Sequence, residues 1–482
     1  MVTGKLDIFL LLRFHVAGCH RYVPGKGCAD ERANQMWLLI LLMLAVVFII
    51  VSTTRLNLHP FLALLISAFG YGMLCGKMSL EEVVQSVNAG FGSTIGYIGI
   101  VILAGAVIGT FLEKSGGAYK LAEGTLKLVG RKNVPMAMGI IGYIVSIPVF
   151  CDSAFVILSP LCKALSRKVK ISLAASAVAL SLGLCCTHTM VPPTPGPVAA
   201  AGLLGADLGL VILWGSLVSI IALAAGWLFS VKYAARIYID PEKNSEETDI
   251  EQITADAPSA LKSVIPILLP IILIVLRSIA DLKSHPFGNG NTAIIVDFIG
   301  QPVVALLIGV FFACLLPKKL STEMLSASGW VGQAVIAAAT IIIITGCGGA
   351  FGKVLQNSGI SDVVKGYLGH SASLSIWLPF LIAAALKTAQ GSSTVAIITT
   401  AGIIAPLLGT LGLETPTAKA LVVVAIGAGS MVVSHANDSY FWVVTGLSGM
   451  TVKQGYKLQT LGTLVEGAAA AVALWIISLI IL

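Results

Sequence analysis

The chain of 482 residues is 57% hydrophobic and only 11% charged. An ordinary soluble protein carries about 25% charged residues, so this composition excludes a soluble globular domain. The formal net charge of +7 does not indicate nucleic-acid binding. The basic residues lie in short loops between apolar segments, as positive-inside topology predicts for a membrane protein.

Residues 1–35 differ from the rest of the chain. They carry five basic residues around the apolar run at 8–12, which is too short to cross a bilayer. We expect a disordered N-terminal extension, or a misannotated start upstream of Met36. A targeting segment or a surface-lying segment is the alternative.

From Met36 onward, apolar runs that can cross a bilayer as helices recur to the end of the chain, for example at 37–51, 98–112, 211–229 and 468–482. Lipid satisfies no backbone polar groups, so these runs must be helices rather than open strands. The sequence therefore predicts an all-α, polytopic integral membrane protein. We expect about 12–14 transmembrane helical segments when the arms of hairpins are counted separately.

The chain also repeats itself. Residues 60–66 match 302–308, and Thr187-His188 faces Ser434-His435 at nearly the same offset. Several matches in the same order indicate two homologous membrane repeats, at 36–235 and 262–482. The polar, acidic stretch between them, 236–261, is predicted to be a flexible cytoplasmic linker, with a regulatory surface as the alternative.

The first repeat contains two interruptions of its apolar segments. The segment at 134–165 has Pro148 and Asp152 near its middle and lies between two basic loops, which predicts a re-entrant hairpin with its tip near Asp152. The segment at 171–204 is broken by a proline-rich run at 191–197, which no continuous helix tolerates. We expect two half-helices joined by unwound backbone.

The second repeat has corresponding interruptions at 390–394 and 434–439. The linker, Lys453 and Lys457 are predicted to be cytoplasmic, so the second hairpin enters from the opposite face. The two repeats are then inverted relative to each other. Many secondary transporters have this plan, in which discontinuous helices meet at the bilayer midplane.

Unwound backbone inside a membrane is tolerated where it lines a cavity or coordinates a ligand. The polar side chains at these breaks are therefore the candidate substrate-binding residues. They are Ser153, Thr187, His188, Thr194, Lys387, Gln390, Ser392, Ser393, Thr394, His435 and Asn437. Hydroxyls, amides, a lysine and helix N-termini suit a small organic anion. The alternative for any single Ser or Thr is a hydrogen bond to its own helix backbone.

Asp152 and Asp438 are the candidate proton-coupling residues. An ionisable group at membrane depth is a functional candidate by default, and a carboxylate in low-dielectric surroundings can take up and release a proton near neutral pH. Alternatively, Asp438 caps a half-helix and the two histidines are hydrogen-bonded packing residues. Sodium coupling stays open, because carbonyls, Ser, Asn and Asp also bind hard cations.

No cofactor or resident metal is expected, because the nine cysteines lack zinc-ligand or CxxC spacing. The sequence has no HExxH, GxSxG or P-loop motif, so we expect neither an enzyme nor an ATP-driven pump. A passive channel is the remaining rival to a secondary transporter.

Four strings of residues make the chain resemble the gluconate permease family of proton symporters, within the ion transporter superfamily. They are Ile147-Pro148-Val149-Phe150-Cys151-Asp152, Val191-Pro192-Pro193-Thr194-Pro195-Gly196-Pro197, Ala389-Gln390-Gly391-Ser392-Ser393-Thr394-Val395-Ala396 and Ser434-His435-Ala436-Asn437-Asp438. The resemblance covers essentially 36–482. It implies import of gluconate or a related sugar acid with protons, across the bacterial inner membrane, by a homodimer with a moving transport domain.

Two residues depart from the pattern that this resemblance implies. Asp152 stands where glutamate is expected in many gluconate carriers, and Lys387 where arginine is expected in several. Both changes keep the charge but alter the reach and hydrogen-bonding geometry of the side chain. The alternative cargoes are therefore D-serine, fructuronate, a keto-acid or a dicarboxylate.

Overall fold

The structure is a computed structural model that describes residues 27–56, 58–129, 133–241, 257–280, 286–288, 290–360, 376–435 and 438–482. The predictions for residues 1–26 and for most of the linker at 236–261 lie outside these ranges. All regular elements within the described ranges are helices, which confirms the all-α class.

Six of the described helices are long and apolar enough to cross a membrane, or up to eight if each of two bent pairs is one span. Five shorter apolar helices of 10–17 residues accompany them. Four of these five are hairpin arms or half-helices. The predicted count of about 12–14 segments included such pieces, because it counted the arms of hairpins separately. The chain is thus a multi-pass membrane protein.

The first half of the chain begins with three long elements and continues with a hairpin and a broken helix. In chain order its helices are α1 (Gly27–Thr54), α2 (Pro60–Leu74), α3 (Leu80–Lys114), α4 (Gly117–Val129), α5 (Val134–Val145), α6 (Cys151–Lys168), α7 (Leu173–Met190), α8 (Pro195–Leu204) and α9 (Leu208–Lys232). Helix α1 begins at Gly27, so the helix of the first span extends upstream of the predicted repeat boundary at residue 36.

The second half also contains a long helix, a hairpin, a broken helix and a last long helix. Its helices are α10 (Ala260–Ala280), α11 (Asn291–Gly300), α12 (Pro302–Cys314), α13 (Trp330–Asn357), α14 (Trp377–Gln390), α15 (Ser393–Ile404), α16 (Pro416–Met431), α17 (Ser439–Leu447), α18 (Val452–Gly455) and α19 (Leu461–Ile481). The inversion of the halves across the bilayer stays a prediction.

Local sequence explains where several helices start. Ser79 and Glu82 form a capping box at α3, with Ser79 N–H donating to Glu82 Oε2 at 2.7 Å and Glu82 N–H donating to Ser79 Oγ at 3.2 Å. Asp207 caps α9 by accepting from Leu210 N–H at 2.8 Å. Proline occupies the first position of α2, α8, α12 and α16, where its missing N–H costs nothing.

Glycines let the helices approach the breaks closely. On α3, Gly105 lies against the Pro193 carbonyl and Gly109, one turn later, lies against the Pro148 carbonyl. One helix of the first half therefore supports both of its interruptions. The hairpin arm α5 packs on α7 through Gly139 and Gly183, where a side-chain carbon on Gly183 would overlap the Gly139 carbonyl.

We expect Gly183→Ala to destabilise the protein by about 1–3 kcal/mol, because the new methyl group forces α5 away from α7. Gly92→Ala on α3 is the matched control, since its position is exposed and nothing lies within 4 Å of the added carbon. Alanine there should be neutral or stabilising by up to about 1 kcal/mol. Thermal unfolding of both variants in detergent measures the difference, and equal stability would contradict the packing described here.

Candidate functional site

One cavity lies where the hairpin tips and the broken helices of the two halves meet. It has a volume of about 250 Å³ and is lined by Cys151, Asp152, Cys185, His188, Lys387, Gly391, Ser392, Ser393, Thr394, Met431, Ser434, Asp438, Ser439 and Tyr440. These residues come from α6, α7, α14, α15, α16 and α17 and from the connections between them. Side chains nearly 300 positions apart in sequence thus share one site.

Three helix N-termini point their first residues into this cavity. Asp152 lies in the first turn of α6, Ser393 and Thr394 open α15, and Ser439 opens α17. The first turn of a helix carries free N–H groups and about half a positive charge, which favours a bound anion. The cavity therefore combines several hydroxyl groups with positive backbone potential.

A buried ion pair forms one wall. Lys387 Nζ lies 2.6 Å from Asp438 Oδ2, and the two side chains are only 2% and 7% exposed. The same ammonium group donates to the Gly391 carbonyl at 2.5 Å, and Ser434 Oγ donates to Asp438 Oδ2 at 2.5 Å. The pair ties the tip of the second hairpin to the break between α16 and α17.

Asp438 also has the capping role that the sequence left as an alternative. Its Oδ1 accepts from Tyr440 N–H at 3.1 Å at the start of α17. Gly391, which ends α14, has a φ of +81°. This left-handed conformation suits glycine and lets its carbonyl turn back to the lysine. Both charges of the pair are thus held in place by backbone groups of the breaks.

Asp152 and His188 face the cavity without strong partners. The contact described for the Asp152 carboxylate is a long one, with Cys151 Sγ at 3.7 Å from Oδ2, and no cation pairs with it among the described residues. His188 packs against the ring of Phe150, and its Nδ1 has no hydrogen-bond partner within the described part of the chain. These two side chains are free to interact with a ligand.

Other predicted residues lie outside the cavity lining. Thr187 donates to the Tyr143 carbonyl at 3.0 Å, and Thr194 donates to the Val191 carbonyl at 2.6 Å. Both hydroxyl groups thus bond to backbone carbonyls, and Thr187 bonds to the neighbouring helix α5 as well as, at 3.4 Å, to the Gly183 carbonyl of its own helix. His435 Nε2 lies 2.8 Å from the Thr388 carbonyl, which joins the second break to the end of α14. Ser153, although next to Asp152, is likewise absent from the lining.

Asn437 lies outside the described residues, and of Gln390 only the backbone is described. The structure adds lining residues that the sequence analysis did not select as site residues, namely Cys151, Cys185, Gly391, Met431, Ser434, Ser439 and Tyr440. Tyr440 was detectable as a polar aromatic residue directly after a break. Cys185 and Met431 carry no such signal, because small or apolar residues are common throughout the helices.

The fold and this central polar cavity define a multi-pass membrane transport protein. The family model of the GntP family permeases matches residues 37–480, and the chain belongs to that family. This confirms the resemblance found in the sequence.

Two relatives illustrate the range of the similarity. A gluconate permease from Pseudomonas aeruginosa is 34% identical over 453 residues, which cover 93% of this chain and 99% of the relative. The D-serine transporter DsdX from Escherichia coli K12 is 31% identical over 455 residues, which cover 93% of this chain and 100% of the relative. Relatives named for two different solutes therefore match nearly the full length.

Among solved structures, the YdaH transporter of Alcanivorax borkumensis is similar, with a TM-score of 0.63 at 14% sequence identity. The match covers 87% of this chain and 98% of that chain. The likeness at this identity concerns the fold, and it extends over both halves.

Removing one partner of the buried pair should be costly. We expect Asp438→Asn to destabilise the protein by about 3–5 kcal/mol, because it leaves the Lys387 ammonium group buried and uncompensated. The double variant Lys387→Met with Asp438→Asn should recover part of that loss. Asp297→Asn is the control, because its pair with Arg277 is partly exposed and should contribute about 1 kcal/mol or less.

Thermal unfolding of these variants in detergent provides the comparison. If Asp438→Asn unfolds no earlier than Asp297→Asn, the ion pair does not hold the two breaks together.

Proposed function

We propose that this permease is a secondary active transporter that imports gluconate or a closely related sugar acid together with protons, by alternating access. The observation that carries the proposal is the central cavity, where three helix N-termini, a buried lysine and several hydroxyl groups converge. The relative named as a gluconate permease supports the choice of cargo.

The lining suits the two parts of a sugar acid. The carboxylate would lie at the N-terminus of α15, where free N–H groups favour negative charge, since the Asp438 carboxylate already caps α17. The hydroxyl groups of the cargo can exchange hydrogen bonds with the side chains of Ser392, Ser393 and Thr394, which line the same wall. Lys387 and Asp438 largely cancel each other's charge, so the pair orients polar groups without trapping the anion.

Charge balance within the cavity links the anion to a proton. With Asp152 ionised, the cavity has a net negative charge before cargo enters, since Lys387 is already neutralised by Asp438. A second negative charge nearby would be strongly repelled in a low-dielectric site. Protonation of Asp152 removes this repulsion, so proton and anion bind together and leave together.

A second candidate is a transporter of the same fold for D-serine, which the DsdX relative makes plausible. Asp152 favours it, because an unpaired carboxylate in the cavity can accept an ammonium group. Fructuronate, a keto-acid or a dicarboxylate would bind through a carboxylate group in the same position as that of gluconate. Sodium could replace the proton in any of these, since carboxylate and carbonyl oxygens are suitable ligands.

The proposal places the protein in the bacterial inner membrane, where a proton gradient is available to drive import. It also includes a homodimer in which one part of each chain moves relative to the other, by analogy with the superfamily. No nucleic acid, enzyme activity, resident metal or cofactor forms part of it.

Counterflow in proteoliposomes tests the cargo. Vesicles loaded with unlabelled solute should take up labelled gluconate, and an excess of gluconate or a related sugar acid should compete. D-Serine, a keto-acid and a dicarboxylate form the rest of the panel. Competition by D-serine with none by sugar acids would select the second candidate, and uptake far faster than a carrier allows, without accumulation, would indicate a channel.

We expect Asp152→Asn to lower accumulation driven by a pH gradient, by about tenfold for a gradient of about one pH unit, and to leave counterflow largely intact, because an amide cannot carry the proton but keeps the shape of the neutral acid. Asp297→Asn, which changes a carboxylate far from the cavity lining, is the matched control and should accumulate normally. Wild-type accumulation by Asp152→Asn would remove Asp152 from the coupling role.

A further inference from the structure

A carboxylate outside the cavity is buried deeper than either aspartate within it. Glu466 lies in α19 and is fully buried, with an exposed fraction of 0%. Neither of its side-chain oxygens has a hydrogen-bond partner of good geometry among the described residues, and the polar group beside it is the Cys186 thiol, which donates to the Gly183 carbonyl at 3.3 Å. An ionised carboxylate without partners would cost several kcal/mol or more in such surroundings. The group is therefore held here as the neutral acid.

Four helices pack against α19, namely α7, α9, α14 and α16, and among the described residues the groups set against Glu466 carry no positive charge. Helix α7 presents the thiol of Cys186. Helix α9 approaches the Glu466 carboxylate with Gly226. Helix α16 contacts the next residue of α19, Gly467, through Val432 and the Ala428 carbonyl.

The cations of these helices are placed elsewhere. Lys387 of α14 is occupied by Asp438, Lys419 of α16 lies beside Gly205, and Lys232 is exposed at the end of α9. Within the described part of the chain, a proton is then what neutralises the glutamate. Glu466 is therefore not in this apolar interface to form a structural salt bridge.

Glu466 is also connected to the cavity through α7. The Cys185 side chain lines the cavity, and the next residue of α7, Cys186, lies beside the Glu466 carboxylate. One layer of side chains on α7 thus separates the buried acid from the proposed cargo site.

A second connection runs through the start of α19. Thr460 Oγ1 donates to the Ser434 carbonyl at 2.5 Å, and Thr463 Oγ1 accepts from Ser434 N–H at 3.0 Å. Ser434 in turn holds Asp438 in the cavity wall. Thr460 ends the π-helical segment Tyr456–Thr460, an irregularity that is common at functional sites. A change at the break is therefore passed to the helix that carries Glu466.

We propose that Glu466 is a second proton-carrying site of the transport cycle, distinct from Asp152. This inference rests on the proposed proton coupling and deepens it. In the state described here the acid is protonated and shielded. When the break at Ser434 rearranges and water reaches the interface between α19 and α7, the acid releases its proton to that side, and the carboxylate regains one from the other side.

The test compares wild-type protein with Glu466→Gln in proteoliposomes. Glutamine matches the neutral acid in shape, so counterflow at equal pH should persist. Accumulation driven by a pH gradient should fall about tenfold for a gradient of about one pH unit, because one proton fewer moves with each cargo molecule. Each coupled proton multiplies the accumulation by the ratio of the proton concentrations on the two sides of the membrane. Glu123→Gln is the matched control, since Glu123 is a partly exposed residue in surface ion pairs, and its accumulation should be unchanged.

Infrared difference spectroscopy detects the protonation of Glu466 directly, which a purely structural role of this residue would not change. The main measurement is made on the wild-type protein, so it does not depend on the folding of a variant. The wild-type spectrum should contain the C=O stretching band of a protonated buried carboxyl group, and cargo binding or a rise in pH should change its intensity. The component of the band that comes from Glu466 should be missing in Glu466→Gln, whereas a component that is missing in Asp152→Asn belongs to Asp152. A wild-type band that responds to neither cargo nor pH, or full accumulation by Glu466→Gln, would overturn the proposal.

Different results would contradict the proton coupling of transport and the role of Glu466 in that coupling. If wild-type vesicles show no accumulation in a pH gradient with any solute of the panel, the proposed proton coupling is wrong. If wild-type vesicles accumulate cargo and Glu466→Gln accumulates it equally well, only the role of Glu466 is lost.

Discussion

The structure depends on one constraint: every backbone N–H and C=O freed at a helix break inside the bilayer needs a partner, because lipid offers none. Side chains supply these partners at each interruption. Thr194 serves the Val191 carbonyl at the first break, and Lys387 serves the Gly391 carbonyl at the second hairpin. Thr460 and Thr463 hold the two backbone groups of Ser434.

This constraint explains why residues that look functional have two different fates. Hydroxyl groups that satisfy freed backbone, such as that of Thr187, are consumed by the fold. At the start of α15, Ser393 and Thr394 line the cavity, as does Ser392, which also caps the helix by accepting from Val395 N–H at 3.3 Å. The polar composition of a break is therefore an upper limit on the polarity of the site.

Buried charges, like freed backbone groups, each need a partner. The cavity contains one lysine, and Asp438 neutralises it at 2.6 Å. Asp152 and Glu466 have no such partner among the described residues, and the interior disfavours their ionised forms. Under the proposed function, these two acids are the places where protons can enter and leave, one beside the cargo and one behind α7.

The sequence by itself determined the membrane class, the positions of the breaks and the family. Composition, proline runs and apolar lengths report directly on the cost of exposing backbone to lipid, and that cost is local. It also marked Asp152, His188, Lys387 and Asp438, all of which line the cavity. Glu466 carried a signal that was passed over, as a lone acid within an apolar helix.

Tertiary structure alone decided which neighbours of a break face the cavity. Thr187 and His188 are adjacent, yet one bonds to α5 and the other lines the site, because successive residues of a helix point about 100° apart. The pairing of Lys387 with Asp438 joins residues 51 positions apart, and the approach of Cys186 to Glu466 spans a still longer separation. Such contacts depend on how the helices cross, which no local pattern of residues specifies.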